Sequence, residues 1–118
     1  MSEIKIYGIP NCNSVKKTFD WCKKNKIEFD FHNYKKDGIE ISKLKNWCKL
    51  SEWKMLFNTK GTTWKKIAEQ YSNKNISEKE AIAIMQEHNS IIKRPVIEYK
   101  NKLIVGYDED LFNSLLKK

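Results

Sequence analysis

The stretch YGIPNCNSVKK, Tyr7 to Lys17, sets Cys12 between a short apolar run and the start of a helical pattern. A thiol there has three readings: a small buried residue, half of a redox pair, or a lone nucleophile. If the first strand ends near Ile9, Cys12 falls in the first turn of the next helix, with Asn11 or Cys12 itself at the cap. Unpaired N–H groups and the positive end of the helix dipole then face the sulfur, and such surroundings can lower a thiol pKa from ~8.5 into the range of roughly 3.5 to 7.5. Lys16, one turn on, can add to that field. The product would be a thiolate nucleophile at neutral pH. Free cysteine is also among the most buried residue types, so position alone leaves the choice open.

The other two cysteines narrow it. Cys22 and Cys48 lie on apolar stripes and read as core residues. Cys22 is no partner for Cys12, because the helix between them is ~15 Å long whereas a disulfide needs Cα atoms within ~7 Å. Cys48 is not excluded by that arithmetic. The chain has no C-x-x-C and no His at metal-ligand spacing, so reduced thiols and no structural zinc are expected.

KRPV, Lys93 to Val96, is the second feature. Pro95 supplies no N–H, which suits an edge or a strand entrance, and it holds the residue before it extended. An extended Arg94 can aim its fork of donors at an anion, and in a chain that otherwise takes its cations as lysine, Arg94 is the one arginine. His32 falls in a strand and His88 at a helix end, so neither is placed as a base. The four tryptophans read as packing residues, and GTTW (Gly61 to Trp64) as a turn that caps a helix through Thr62 or Thr63.

Positioning these groups takes a β-α-β start. IKIYGI (Ile4 to Ile9) alternates like a short strand and ends at Gly8 and Pro10; Val15, Phe19 and Cys22 then mark the apolar stripe of a helix to about Asn25; IEFDFHNY (Ile27 to Tyr34) alternates again. A crossover of this kind implies parallel strands. The middle of the chain turns helical, with Ile41, Leu44 and Cys48 on one face, then Trp64 with Ile67 and Ala68, then Ile82, Met85 and Gln86. Ser77 and Glu80 have capping-box spacing, which sets the last of these helices near Glu78 to His88. RPVIEY and KLIVGY then form a β-hairpin, and DEDLFNSLLKK a terminal helix with acids at its start and lysines at its end.

The chain's 118 residues make one domain, 1–118, with a helical insertion at about 38–90. Its 40% hydrophobic and 32% charged residues argue against disorder. No apolar run is long enough to cross a bilayer and no signal-peptide pattern opens the chain, so the cytoplasm is expected. The net charge of +8 is spread among acids as on a solvated surface, without the compact basic stripe of a nucleic-acid binder.

With a cysteine after the first strand, a helical insertion and an RP that opens the hairpin, the chain resembles the ArsC/Spx family of thioredoxin-like proteins. YGIPNCNSVKK, NYKKDGI, LFNTKGTTWKK and HNSIIKRPVI are most similar to its YffB-type members, regarded as glutathione-dependent thiol reductases. The resemblance implies an α/β thioredoxin-like fold with a mixed four-stranded sheet, Cys12 as nucleophile, Arg94 flanking the active site, and Pro95 as a cis proline facing the cysteine. It makes Asn11, Asn13, Ser14, Lys16, Arg94, Pro95 and Lys54 the candidate contacts of substrate or glutathione. It further implies no bound cofactor, glutathione as co-substrate, glutaredoxin as a partner, and a disulfide or anionic substrate.

Two rival activities come with the family. Glutaredoxin-coupled arsenate reductases use three arginines around the oxyanion, and the resemblance sets Lys54 and Gly106 at two of those places; lysine is a point charge and glycine neither charge nor fork. Spx-type regulators bind RNA polymerase and commonly carry a C-x-x-C switch, where this chain has Val15.

Overall fold

The computed structural model describes residues 3–71 and 76–116. They form two compact units: one runs to Asp37 and resumes at Arg94, and the other is Gly38–Lys93.

The first unit is built on a sheet of order β2-β1-β3-β4. β1 (Ile4–Gly8) and β2 (Asp30–Asn33) are parallel, joined through α1 (Asn13–Lys24). β3 (Val96–Tyr99) lies antiparallel to β1, β4 (Lys102–Val105) antiparallel to β3, and α7 (Glu109–Leu115) closes the chain order. This is the thioredoxin-like arrangement expected. Strand alternation sends Ile4, Ile6, Ile97 and Ile104 into one core with Trp21, Cys22, Phe112 and Leu116. Tyr7, of opposite parity, donates from its hydroxyl to a Glu98 carboxylate oxygen at 2.8 Å.

Three local outcomes differ from the sequence reading. The helix α1 buries Val15, Thr18, Trp21 and Cys22, whereas Phe19 is only partly buried and packs on Phe29 and Phe31, with ring centroids 5.1 and 5.0 Å away. Thr18 sits in the core because its hydroxyl donates to the Ser14 carbonyl at 2.8 Å, which satisfies its polar atom within the helix. β2 spans only Asp30–Asn33, not Ile27 to Tyr34: before it the Ile27 N–H donates to the Cys22 carbonyl at 2.8 Å, and at its end the Asn33 side chain accepts from the N–H groups of Lys35 and Lys36 at 3.1 and 3.2 Å and starts a short helix, α2 (Tyr34–Asp37). At the far end Asp108 caps α7 by accepting from the Leu111 N–H at 3.1 Å. The expected terminal lysines, 117 and 118, lie outside the described residues.

The second unit is helical, as its period indicates: α3 (Ile41–Leu50), α4 (Trp53–Leu56), α5 (Thr62–Ile67) continuing as a 3-10 turn Ala68–Tyr71, and α6 (Glu78–Glu87) followed by a second turn, Asn89–Ile91. Ser77 and Glu80 close both bonds of the capping box, at 3.2 and 3.1 Å. The buried face of α3 is Leu44 and Trp47; Ile41 is exposed and Cys48 half-buried, since the larger indole takes the core position. Gln86 is likewise exposed, and α6 buries Ala81, Ile82, Ile84 and Met85. Gly61, not Thr62 or Thr63, caps α5, and Thr63 instead shares a hydrogen bond of 2.9 Å with Ser90. Trp53, Phe57, Trp64 and Tyr71 pack ring on ring in succession, with centroids 5.1 to 6.2 Å apart.

Among the described residues no helix is long and apolar enough to cross a membrane. None of their His, Cys, Asp and Glu side chains gather in a group of three that could hold a metal ion.

Candidate active site

Sheet register gathers three chain segments at one end of the sheet, where β1 and β2 finish and β3 begins. Gly8 pairs with Asn33, so the loop to Cys12 and the start of α2 leave the sheet side by side. Tyr7 pairs with Val96, so the chain entering antiparallel β3 through Arg94 and Pro95 arrives at that same end. The Arg94–Pro95 bond is cis, and the Pro95 carbonyl accepts from the Gly106 N–H at 2.7 Å. Pro95 therefore stands at the entrance of an inner strand, not on a sheet edge.

Cys12 is itself the N-cap of α1, with extended backbone angles, and its carbonyl accepts from the Lys16 N–H at 2.9 Å. The thiol is partly exposed and closes no conventional side-chain capping bond. Once the sulfur is charged, the open N–H groups of the first turn bear on it. Burial pushes the Cys12 pKa up, but the Val15 N–H, a hydrogen bond from Arg94, the Ser14 N–H and the Arg94 charge together outweigh it and hold the thiol below its ordinary value.

The other thiols run opposite. Burial pushes Cys22 up to about 11, and burial with the Glu78 charge pushes Cys48 up to about 11. Each thiol is chemically quiet at neutral pH, although Cys48 is half-buried where a full core position was expected.

Arg94 is half-buried. Burial works against its charge, but the neighbouring Tyr34 and Cys12 favour it more, and its pKa rises. The guanidinium donates both to Cys12 and to the Tyr34 hydroxyl. Tyr34 is fully buried, and burial raises its pKa well above the ordinary value despite the nearby Arg94 charge. Tyr34 is the residue that sequence reading missed. Its signal was Asn33, whose capping role before YKKD starts a helix at Tyr34 where alternation reads a strand end.

The remaining expected contacts divide. Ser14 turns its N–H to the sulfur, while Asn11, Asn13 and Lys16 expose their side chains around the same turn. Lys54 is an exposed residue of α4, in the second unit, with its Nζ 5.9 Å from the Trp53 ring centroid. Gly106 follows β4 at φ +88°, a left-handed conformation that an arginine adopts only with strain.

Residues 7–115 match the model of the ArsC family. Among solved structures, a YffB protein is 35% identical, covers 96% of this chain and 98% of its own, and superposes with a TM-score of 0.90. An arsenate reductase related protein from Brucella melitensis is 36% identical over 100% of this chain and 97% of its own, with a TM-score of 0.76. The global transcriptional regulator Spx 2 of Lactococcus lactis is 30% identical over 118 residues, 98% of this chain and 87% of its own. The match runs from the first strand to the last helix and takes in both Cys12 and Arg94, and on that extent this chain belongs to the ArsC family.

Proposed function

We propose that the protein is a thiol-dependent reductase that works through Cys12 alone. One observation carries the reading: the sulfur at the α1 N-terminus is met by two backbone N–H groups and by the Arg94 guanidinium, so the thiolate is favoured where the other two cysteines stay protonated. The Cys12 thiolate attacks one sulfur of a disulfide, the new protein–substrate S–S bond forms as the old one breaks, and the second sulfur leaves as a thiolate. A glutathione thiolate then attacks the substrate sulfur of the mixed disulfide; a glutathione–substrate disulfide forms as the bond to Cys12 breaks, and the Cys12 thiolate is restored. Glutaredoxin can serve in the same step. Arg94, with Lys16, Asn11, Asn13 and Ser14 around the turn, holds an anionic end of the substrate such as a glutathione carboxylate. The likeness to the YffB and arsenate reductase related proteins supports this reading. Efficient reduction of arsenate itself is disfavoured, because Gly106 and Lys54 stand at places the resemblance assigns to arginines, and the Gly106 backbone suits glycine.

The test is incubation with oxidised glutathione at neutral pH, then peptide mapping and a turnover assay with reduced glutathione. One glutathione on Cys12 and turnover lost in Cys12→Ser are expected. An adduct on Cys48, or a Cys12–Cys48 disulfide, would replace the one-cysteine mechanism.

The likeness to Spx 2 favours a second reading, an RNA polymerase-binding regulator. Here the C-x-x-C partner position is Val15, fully buried in the core, so a disulfide switch of that design is absent. Capture of the polymerase α subunit by this protein, with no thiol turnover, would favour the regulator.

A further inference from the structure

Arg94 carries a long, rotamer-rich side chain, and a guanidinium that is to face one sulfur atom needs a second fixed point. The register supplies one. Tyr34 follows Asn33, which pairs with Gly8, and Val96 pairs with Tyr7, so Tyr34, the Cys12 turn and Arg94 lie at the same end of the sheet. The Asn33 side chain, accepting from the Lys35 and Lys36 N–H groups, fixes the first turn of α2 and with it the direction in which Tyr34 departs. The Tyr34 ring is fully buried, and a buried phenol oxygen needs a partner. Arg94 provides it, and its five donors suffice for the phenol and the sulfur together.

We propose that Tyr34 is a positioning residue: its buried hydroxyl oxygen accepts one arm of the Arg94 guanidinium and holds the remaining donors against Cys12 Sγ. The proposal rests on Cys12 being the reactive thiolate. Tyr34 takes no part in the sulfur chemistry, since burial keeps its phenol protonated. Its contribution is geometric and passes entirely through Arg94.

Because Arg94 is the chain's one arginine, every guanidinium signal in a ¹⁵N spectrum belongs to it. In the wild-type protein the Nη signals are expected to be separate, as for a guanidinium whose rotation is blocked. In Tyr34→Phe they should average. In the same variant the pH midpoint of Cys12 alkylation by iodoacetamide should rise by about half a unit to one unit, making alkylation well below the midpoint roughly three to ten times slower. Arg94→Ala should raise the midpoint at least as far, and adding Tyr34→Phe to it should change nothing more. An unchanged spectrum and midpoint in Tyr34→Phe would overturn the proposal, as would an undiminished shift in the Arg94→Ala background. Should Tyr34→Phe fail to fold, 3-fluorotyrosine in the otherwise natural chain weakens the acceptor, and unmoved Arg94 signals would then overturn it. A wild-type Cys12 midpoint at the ordinary thiol value would instead sink the nucleophile reading, while the Arg94 spectrum would still report whether Tyr34 holds the guanidinium.

Discussion

Gly8 is the residue whose replacement tests how the strand end sets the sulfur's surroundings. A Cβ built on Gly8 would lie 2.7 Å from Val15 Cγ2 and 3.8 Å from Val15 Cγ1, against 3.4–4 Å for ordinary contact. Val15 cannot swing clear cheaply: it is β-branched, stiff at χ1 and fully buried. Gly8→Ala must therefore displace Val15 and with it the first turn of α1, whose Val15 N–H leads the groups that favour the Cys12 thiolate. Overpacking of this kind costs ~1–3 kcal/mol, and at roughly 4 °C per kcal/mol the melting temperature should fall by about 4 to 12 °C. Alkylation of Cys12 at pH 6 should slow in the same variant. The double variant Gly8→Ala with Val15→Ala removes the clashing methyls, so its loss should be less than the sum of the two single losses by about 1 kcal/mol or more. Thermal melts and iodoacetamide rates on the four proteins give the cycle. Additive losses, or a Gly8→Ala protein that melts and reacts like the wild type, would refute the reasoning.

Two further outcomes concern stability. Ser77→Ala removes the acceptor of the Glu80 N–H and should cost ~0.5–2 kcal/mol in urea titrations. Cys22 is raised in the fold to about 11, so its contribution is complete below the unfolded thiol pKa and is lost as pH climbs toward that value. Unfolding free energy should thus decline from about pH 8.5 upward, by at most ~1.4 kcal/mol per pH unit from this thiol, and less steeply in Cys22→Ala.

Much of the architecture was readable because its signals are local. Alternation from Ile4 with Gly8 and Pro10 after it marks β1, and Ser77 with Glu80 marks the start of α6; both are where they were expected. Other features were settled by competition between neighbours. Alternation carried the second strand through Tyr34, but the Asn33 side chain captures two N–H groups and turns the chain into α2. On α3 the Ile41–Leu44–Cys48 stripe fits a helix as well as Leu44–Trp47 does, and only packing shows that the indole is buried. At the site, Cys12 and Arg94 were legible from a helix start and from an arginine before a proline. Tyr34 was not, since its meeting with Arg94 depends on strand register and neither residue's local pattern reports it. Lys16 was expected to lend its charge to Cys12; the groups seen to favour the thiolate are Arg94 and the Val15 and Ser14 N–H groups.

The central claim is that the surroundings of Cys12 hold its thiol below the ordinary value while those of its two companions push theirs above it. The direct measurement is the iodoacetamide rate at each cysteine of the native protein, resolved by peptide mass spectrometry from pH 4 to 10. Cys12 should titrate with a midpoint below the ~8.5 of a free thiol. Cys22 and Cys48, at about 11, should hold roughly a three-hundredth of an ordinary thiol's thiolate at pH 7 and stay unlabelled there. A Cys12 midpoint at or above ~8.5, or labelling of Cys48 ahead of Cys12, would contradict the account.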